Sequence, residues 1–275
     1  MKLSVIVTTY NSTEWLEKVI WGYQHQSFRN FELLIADDGS TSETANLVHS
    51  MGKHLHFYIR HIWQEHHGFN KCKILNKAIL EASSEYLVFS DGDCIPRNDF
   101  LQIHFENSKP KRFLSGGAVR LPLALSRELT RKDISGGLAF DKNWLIAHGL
   151  RKSLFKNLKL TQNRWLSSAL NRLSPTNATW NGGNSSAWKK DILSVNGFNE
   201  RMHYGSEDRE FGERLTNSGS LGVQIRYRAI CIHLDHPRDY LNKRDLEKNK
   251  EIYQHTIDTK SKWTSDGIIR SENTV

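Results

Sequence analysis

The pattern of apolar and polar positions along the first 118 residues changes repeatedly between short apolar runs and apolar residues spaced three or four positions apart. Short apolar, β-branched runs predict strands, and stretches with apolar residues every three or four positions predict helices between them. The predicted strands are Leu3–Thr9, Phe31–Ala36, Leu55–Arg60 and Tyr86–Ser90, and the predicted helices are Ser12–Gln26, Thr41–Met51 and Asn70–Ala82. This βαβαβαβ order predicts an α/β fold with a mostly parallel central sheet flanked by helices.

Polar clusters directly follow three of the predicted strands. They are Thr8-Thr9-Tyr10-Asn11, Asp37-Asp38-Gly39-Ser40 and Asp91-Gly92-Asp93. Ligands of open α/β sheets bind beyond the carboxyl ends of the strands. We therefore expect the three clusters to meet at one edge of the sheet and to form a binding site there.

The second half of the chain has shorter and weaker patterns. Ser153–Leu173 has the spacing of an amphipathic helix, which either packs on the core or lies in a membrane interface with a Lys/Arg-rich polar face. Further predicted elements are a helix over Lys189–Val195, a helix over Ser206–Thr216 capped by Ser206, strand material in Leu221–Ile232, and a charged helix over Asn242–Ile257. We divide one domain into a nucleotide-binding half (1–118) and an acceptor-binding, catalytic half (119–258), with a loosely held tail over 259–275.

The net charge of +8 on 275 residues is concentrated in the middle of the chain. Between Ser126 and Pro175, ten lysines and arginines stand against three acidic residues. This surface is either simply solvated or faces anionic partners such as membrane headgroups, phosphorylated acceptors or nucleic acid. No apolar run approaches the roughly 20 residues of a membrane span, and the three cysteines lack metal-type spacing, which favours a reduced, cytosolic setting.

Three groups of residues carry candidate chemistry. Asp91 and Asp93, two positions apart after a strand, are suited to one Mg²⁺ or Mn²⁺ ion, although Asp and Gly also form ordinary turns. His233 and His236 flank Asp235, and imidazole suits Mn²⁺ better than Mg²⁺. Glu207-Asp208 begins a predicted helix, where carboxylates either complement the helix dipole or take a proton from a hydroxyl.

These motifs, in this order, resemble a known enzyme family. Ser4–Asn11, Asp37–Ser40 and Asp91–Asp93 resemble glycosyltransferase family 2, with the Rossmann-like GT-A fold. The later motifs resemble the C-terminal region shared by β-1,4-galactosyltransferases and bacterial chondroitin-polymerase-like enzymes; they are Asn181–Asn184, Asn196–Phe198, Gly205–Asp208 and His233–His236. The resemblance implies a helical insertion on the acceptor side.

The resemblance also implies a role for each matching residue. Those expected to bind the nucleotide-sugar are Thr8 and Tyr10 (base), Asp38 (uracil edge), Asp91 (ribose or metal region), and Gly182 and Gly183 (close backbone approach). Those expected to bind the cation are Asp93, His236 and also His233. Asp208 would be the catalytic base, and Glu207 would help to bind substrate. Leu75 replaces an arginine of many relatives, so Lys71 or Lys73 must supply charge near the pyrophosphate, and we assign Lys73.

The implied activity is an inverting, Mn²⁺- or Mg²⁺-dependent transfer from a UDP-sugar to a hydroxyl of a glycan or glycolipid, in bacterial surface polysaccharide or lipopolysaccharide synthesis. We expect a cytoplasmic protein, with a peripheral position on the inner face of the membrane left open, and no nucleic-acid partner. A nucleotidyltransferase would carry a Gly-rich, basic loop after its first strand. A nucleic-acid-binding module explains the charge but not the carboxylates and histidines. An inactive homologue is disfavoured by the presence of Asp93, Asp208 and His236.

Overall fold

A computed structural model describes residues 2–237 and 242–269. The strands are β1 (Leu3–Thr9), β2 (Phe31–Asp37), β3 (Tyr58–Trp63), β4 (Tyr86–Asp91), β5 (Cys94–Pro96), β6 (Arg112–Ser115), β7 (Gly117–Arg120), β8 (Ser185–Trp188), β9 (Leu221–Gln224) and β10 (Ile230–His233). The helices are α1 (Thr13–Gln24), α2 (Ser42–Gly52), α3 (Lys71–Glu81), α4 (Phe100–Asn107), α5 (Leu123–Glu128), α6 (Arg131–Ser135), α7 (Lys142–Ala147), α8 (Arg164–Leu173), α9 (Lys189–Ser194), α10 (Glu207–Asn217) and α11 (Lys243–Thr259). Short 3₁₀ helices span Leu138–Phe140 and Lys156–Leu160.

The central sheet has seven strands in the order β3-β2-β1-β4-β8-β6-β9. The first four are mutually parallel, and β6 is parallel to β9. Only β8, which pairs antiparallel with both β4 and β6, runs against the others. The predicted α/β class with a mostly parallel sheet is therefore confirmed.

Alternate residues of the inner strands supply two apolar layers, because successive side chains of a strand point to opposite faces. On one face, Val5 and Val7 of β1 pack in a cluster that includes Leu16 of α1. On the other face, Ile6 packs in a cluster that includes Ile74 of α3. Helices thus cover both faces, as predicted, and the carboxyl edge of the sheet is where the polar clusters emerge.

A second sheet of three strands, in the order β5-β10-β7, was not predicted as a separate unit. The predicted strand material of Leu221–Ile232 divides between the two sheets: β9 joins the large one and β10 the small one. In the small sheet His233 pairs with Cys94 in antiparallel register. This pairing brings the segment after β4 against the segment after β10.

The third strand lies about three residues later than predicted, over Tyr58–Trp63 instead of Leu55–Arg60. Its pairing with β2 explains the shift, since Tyr58 stands opposite Glu32 and Trp63 opposite Asp37. Cross-strand pairing, and not the local apolar run, decides where this edge strand begins.

The helix predicted over Ser153–Leu173 is wrong as one element. A 3₁₀ turn over Lys156–Leu160 is followed by a new helix, α8, whose first backbone N–H groups, those of Trp165 and Leu166, are capped by the Asn163 side chain. The whole stretch from α5 to α8 is helical or irregular, so the predicted helical insertion is present.

The tail predicted from Thr259 onward is not loosely held over the residues that the structure describes. The Asn196 side chain donates hydrogen bonds to the carbonyls of Thr264 and Ile269 and accepts one from the Ile269 backbone N–H. Ile268 packs against the apolar cluster beneath α3. These contacts are long-range, which is why local composition did not indicate them.

Candidate active site

The carboxyl ends of β1 and β4 bring the first pair of site residues together. Thr8 and Asp91 are register partners in adjacent parallel strands, and Thr8 Oγ1 donates a 2.8 Å hydrogen bond to Asp91 Oδ1. The same carboxylate oxygen accepts a 2.9 Å hydrogen bond from Lys71 Nζ, at the start of α3. The Asp91 carboxylate is therefore already paired with the ammonium group of Lys71, and the hydrogen bond from Thr8 orients this carboxylate.

Lys71, and not Lys73, is the lysine at this site. The Lys73 side chain is exposed on another side of α3, whereas Lys71 Nζ lies 2.8 Å from where a Cβ on Gly182 would stand. Side chains two positions apart in a helix point about 200° away from each other around its axis. Only one of the two lysines therefore faces the sheet edge. The lysine beside Asp91 and Gly182 is therefore Lys71, and Lys73, which the sequence analysis assigned, lies away from them.

A carboxylate and two imidazoles converge beside this pair. His236 Nε2 lies 2.9 Å and His233 Nε2 3.8 Å from Asp93 Oδ2, and the two rings stack with centroids 5.9 Å apart. The β5–β10 pairing causes this approach, since the Leu234 backbone N–H donates to the Asp93 carbonyl at 2.8 Å.

The residues of this cluster fit a divalent cation. Candidate ligand atoms of Asp93, His233 and Cys94 lie within 4.8 Å of one another. Nδ1 of His233 is buried, and the described structure gives it no hydrogen-bond partner. Of Mn²⁺ and Mg²⁺, the imidazole donors of this cluster favour Mn²⁺. The sequence analysis did not single out Cys94, whose thiol donates a 3.3 Å hydrogen bond to Asp93 Oδ1.

Asp208 lies at the start of α10, against the loop that precedes β8. Its Oδ2 accepts a 2.7 Å hydrogen bond from the Gly182 backbone N–H, while its Oδ1 is buried with no partner among the described residues. A Cβ at position 182 would lie 2.8 Å from Asp208 Oδ2. Glycine is therefore required there by the close approach of Asp208, whereas the role expected from the resemblance, approach of the backbone to the donor, stays a prediction.

Gly183 is also closely approached, since a Cβ there would lie 3.1 Å from Asp91 Oδ2 and 3.2 Å from Cys94 Sγ. Gly182 thus lies against the Asp208 carboxylate, and the next residue, Gly183, lies against Asp91 and Cys94. These contacts place Asp208 beside Gly182, and Asp91 beside Gly183, while the predicted roles of these residues stay predictions.

The loop before α10 has an unusual backbone. Gly205 and Ser206 both have positive φ, at 105° and 67°, and the Ser206 side chain makes no cap hydrogen bond. The predicted cap by Ser206 is therefore wrong. Instead, Glu207 Oε2 accepts a 2.7 Å hydrogen bond from the Gly205 backbone N–H, which holds the loop in this conformation.

Burial and charge shift the protonation of this cluster. Burial, with the negative charge of Asp208, raises the pKa of Glu207 to about 7. Burial also raises the pKa of Asp208, although the positive charge of Lys71 opposes the shift. Burial would lower the pKa of Lys71, but the charges of Asp91, Asp208 and Glu207 outweigh it and raise that pKa well above its ordinary value.

The Asp93 carboxylate shows the opposite balance. Burial alone would raise its pKa, but the hydrogen bond from His236 and the charges of both histidines lower it below the ordinary value. Asp93 is therefore an anion at neutral pH, as a cation ligand must be.

The expected base-binding residues lie at the ends of β1 and β2. Tyr10 is half-exposed, and its ring stacks on that of His66 with centroids 4.4 Å apart and an interplanar angle of 12°. Asp38 accepts hydrogen bonds from Gln64 Nε2 at 2.6 Å and from the Asn70 backbone N–H at 2.7 Å. Asn70 directly precedes Lys71, so the start of α3 links this end to the catalytic end.

His66 was missed by the sequence analysis. Nothing in the run Gln64-Glu65-His66-His67 distinguishes one histidine from the other. In the structure the backbone of His66 lies over Gly39, where a Cβ would be 2.6 Å from the His66 nitrogen, and this contact together with the stacking on Tyr10 singles His66 out.

Together the fold and site define an α/β protein whose parallel sheet edge holds the Asp93 carboxylate with two imidazoles, a Lys71–Asp91 ion pair and the buried carboxylate of Asp208. Residues 4–114 match the family model described as glycosyl transferase family 2. Residues 166–237 match the model described as the N-terminal domain of galactosyltransferase. The resemblance to glycosyltransferase family 2 and to the galactosyltransferases, drawn from the motifs of the chain, is confirmed by these two matches.

A curated relative supports this family. Chondroitin synthase of Escherichia coli is 25% identical over 272 residues, which cover 91% of this chain and 37% of that protein. The chain thus spans little more than a third of the length of this relative.

Solved structures share the fold at low sequence identity. Staphylococcus aureus TarS 1–349 in complex with UDP-GlcNAc matches with a TM-score of 0.62 and 16% identity, over 94% of this chain and 66% of that one. A mannosyltransferase of Pyrobaculum calidifontis in complex with GDP-Man and Mn²⁺ matches with a TM-score of 0.58 and 17% identity, over 87% of this chain and 58% of that one. The GT-A fold is thereby confirmed.

Proposed function

We propose that this chain transfers a sugar from a UDP-sugar to a hydroxyl of a glycan or glycolipid, with inversion at the anomeric carbon. The observation that carries the proposal is the Asp208 carboxylate, which is fixed through one oxygen by Gly182 and has its other oxygen buried and unpartnered. A buried acceptor atom without a donor is costly, and an acceptor hydroxyl would satisfy it.

Asp208 would act as the general base. Its Oδ1 would accept the proton of the acceptor hydroxyl while the oxygen of that hydroxyl attacks the anomeric carbon. The new carbon–oxygen bond forms while the bond to the nucleoside diphosphate breaks, and a single displacement of this kind inverts the configuration. Burial, which raises the pKa of Asp208, strengthens it as a base.

Asp93, His236 and His233 would hold a divalent cation, Mn²⁺ in preference to Mg²⁺. Bound there, the cation supplies Lewis-acid neutralisation of the charge on the departing nucleoside diphosphate. Lys71 would add a second positive charge near the pyrophosphate, and it holds Asp91 in place at 2.9 Å. Tyr10, stacked on His66, offers a flat aromatic surface to the base, and Asp38 an acceptor to the uracil edge.

We base the choice of a UDP-sugar as donor and a glycan as acceptor on what is known of the similar proteins. TarS was solved with UDP-GlcNAc, and the Escherichia coli relative is a chondroitin synthase, an enzyme that forms a glycan. We infer the same donor nucleotide and acceptor class here, and a role in bacterial surface polysaccharide or lipopolysaccharide synthesis.

A donor screen tests the proposal. The protein is incubated with Mn²⁺, oligosaccharide acceptors and a panel of UDP- and GDP-sugars, and release of nucleoside diphosphate is measured. We expect release with at least one UDP-sugar, dependent on acceptor, and a product whose anomeric configuration by NMR is opposite to that of the donor. A product of retained configuration would exclude the single displacement. Absence of nucleotide-sugar binding by calorimetry would overturn the proposal as a whole.

A further inference from the structure

Helix α8 is oriented with its polar side toward the protein. Ser167 is the buried residue of this helix, and the side chain of Asn171 accepts a 3.0 Å hydrogen bond from the Tyr227 backbone N–H. The large apolar side chains other than that of Leu170 lie on the outside: the Trp165 side chain is 89% exposed, that of Leu166 42% and that of Leu173 80%. A helix of a soluble protein ordinarily places its apolar side on the core, so this one needs a partner outside the domain.

The residues just before α8 repeat this arrangement. Asn157 and Leu160 of the 3₁₀ turn are buried, and Lys159 donates a 3.0 Å hydrogen bond to the Ala118 carbonyl, which attaches the turn to β7. Leu154 and Phe155, by contrast, are 86% and 81% exposed. We call residues 151–173, with these outward apolar side chains, the basic apolar segment.

The charge of the basic apolar segment is of one sign. It contains six lysines and arginines and no acidic residue, and the surrounding chain has no Asp or Glu from Lys142 to Lys190. The exposed basic side chains are those of Arg151, Lys152, Lys156, Arg164 and Arg172. Each is within a few positions of an exposed apolar residue.

The combination of outward Trp, Phe and Leu side chains with Lys and Arg is typical of structures that lie in a membrane interface. Apolar side chains enter the acyl boundary there, and cationic ones contact anionic headgroups. A second copy of the chain is a poorer partner, because a two-fold contact would place this positive segment against itself. No helix within residues 2–237 and 242–269 is long and apolar enough to cross a bilayer.

We propose that the basic apolar segment docks on an anionic lipid bilayer. Docking rests on exposure and charge alone and does not depend on the proposed transfer reaction. The segment continues within a few residues into the Trp180–Asn184 loop, whose Gly182 contacts the Asp208 carboxylate. A docked molecule would therefore hold its catalytic loop close to the membrane surface, where a lipid-linked acceptor would lie.

Vesicle co-sedimentation of the full chain tests the docking. Vesicles of phosphatidylcholine alone are compared with vesicles containing 30% phosphatidylglycerol, on the order of the anionic content that attracts basic segments. We expect binding to the anionic vesicles, little to the neutral ones, and a steep loss with salt as the charges are screened. Equal binding to both, or none at low salt, would overturn the proposal.

Substitutions localise the contact. Trp165→Ser with Leu173→Ser removes apolar contact, and Lys152→Gln with Lys156→Gln removes charge; we expect each pair to weaken binding about tenfold or more. The affected side chains are exposed, so folding should survive, as a melting curve will show. The matched controls are Leu80→Ser, an exposed apolar residue of α3, and Lys53→Gln with Lys109→Gln. Controls that weaken binding equally would disprove this location.

Two further measurements separate the alternatives. Brominated lipids should quench part of the tryptophan fluorescence of the wild-type protein and less of that of Trp165→Phe, because Trp165 enters the acyl region. A dimer in light scattering that Trp165→Ser dissociates, together with no quenching, would instead identify a second copy as the partner and overturn the membrane proposal.

Discussion

The Gly182 backbone N–H donates a 2.7 Å hydrogen bond to Asp208 Oδ2, from a loop 26 residues away along the chain. This bond fixes the carboxylate in one orientation and directs Oδ1 into the site, where it is buried. The pair therefore links the galactosyltransferase-like loop to the start of α10. The proposed chemistry depends on that link.

Asp208→Asn should remove turnover and leave folding intact. The amide retains the shape and accepts from Gly182 but takes no proton, and general-base catalysis typically contributes ~10²–10⁴-fold. We expect kcat to fall by about that factor, with donor affinity retained and the melting temperature unchanged or higher, because a buried charge is removed. Glu213→Gln on the same helix is the control. If Asp208 only stabilises the start of α10, turnover will stay near normal and the melting temperature will fall.

Lys71→Gln and Lys73→Gln form a matched pair, since both lie on α3 but only Lys71 reaches Asp91. A charged hydrogen bond contributes about 1.5–3 kcal/mol, so we expect donor affinity to fall on the order of tenfold or more in Lys71→Gln and not in Lys73→Gln.

The pH profile gives a second readout for Lys71. The Lys71 charge lowers the pKa of Asp208, so its loss should raise that pKa. The acidic limb of kcat/KM should then move to higher pH, because the base must be deprotonated. Calorimetry and a pH profile of both variants check this, and identical behaviour of the two would contradict the assignment.

Cation binding should be measurable without donor or acceptor. At a hundredfold excess over Kd, a ligand stabilises by ~2.7 kcal/mol, about 5 °C for a domain of this size. We expect Mn²⁺ to raise the melting temperature of the wild type more than Mg²⁺ does. The melting temperature of Asp93→Ala should not change when Mn²⁺ is added. The exposed Asp258→Ala is the control. Separate His233→Gln and His236→Gln variants show which imidazole contributes.

Glu207 should make stability depend on pH. Its pKa is raised from 4.5 to about 7 in the folded state, so the folded protein binds this proton more readily than the unfolded chain. Stability from this group is greatest at low pH and is lost as pH rises from 4.5 to about 7. Glu207→Gln should therefore melt above the wild type at pH 8, by an amount that shrinks toward pH 4.5. A constant difference across this range would contradict the shift.

Ser206→Gly should stabilise the protein. Ser206 has a φ of 67°, a conformation that costs a non-glycine residue ~1–2 kcal/mol. Glycine loses more chain entropy on folding, so the expected net gain is about 0.5–1 kcal/mol. The control is Ser218→Gly at the other end of α10, where φ is −78° and glycine should destabilise. Chemical unfolding measures the free energy of unfolding of both variants, which should rise in Ser206→Gly and fall in Ser218→Gly.

The sequence by itself determined the parallel half of the sheet and the order of its motifs. The early strands and helices have long, regular apolar periods, and β1, β2 and β4 lie within one residue of their predicted ends. Parallel strands that are neighbours end at the same edge, so Thr8 and Asp91 were expected near each other before any coordinates were known. The family motifs further along the chain named Gly182, Gly183, Glu207, Asp208, His233 and His236, but not His66 or Cys94.

Tertiary structure alone decided which lysine lies beside Asp91, how His233 and His236 approach Asp93, and which way α8 faces. Lys71 and Lys73 have the same chemistry, and only the packing of α3 turns one toward Asp91. Strands β5 and β10 are three and four residues long, too short for a periodic signal, yet their register sets His233 against Asp93. The apolar period of α8 reveals that the helix has two sides, but not which side meets the protein, because that depends on long-range partners such as the Tyr227 backbone N–H.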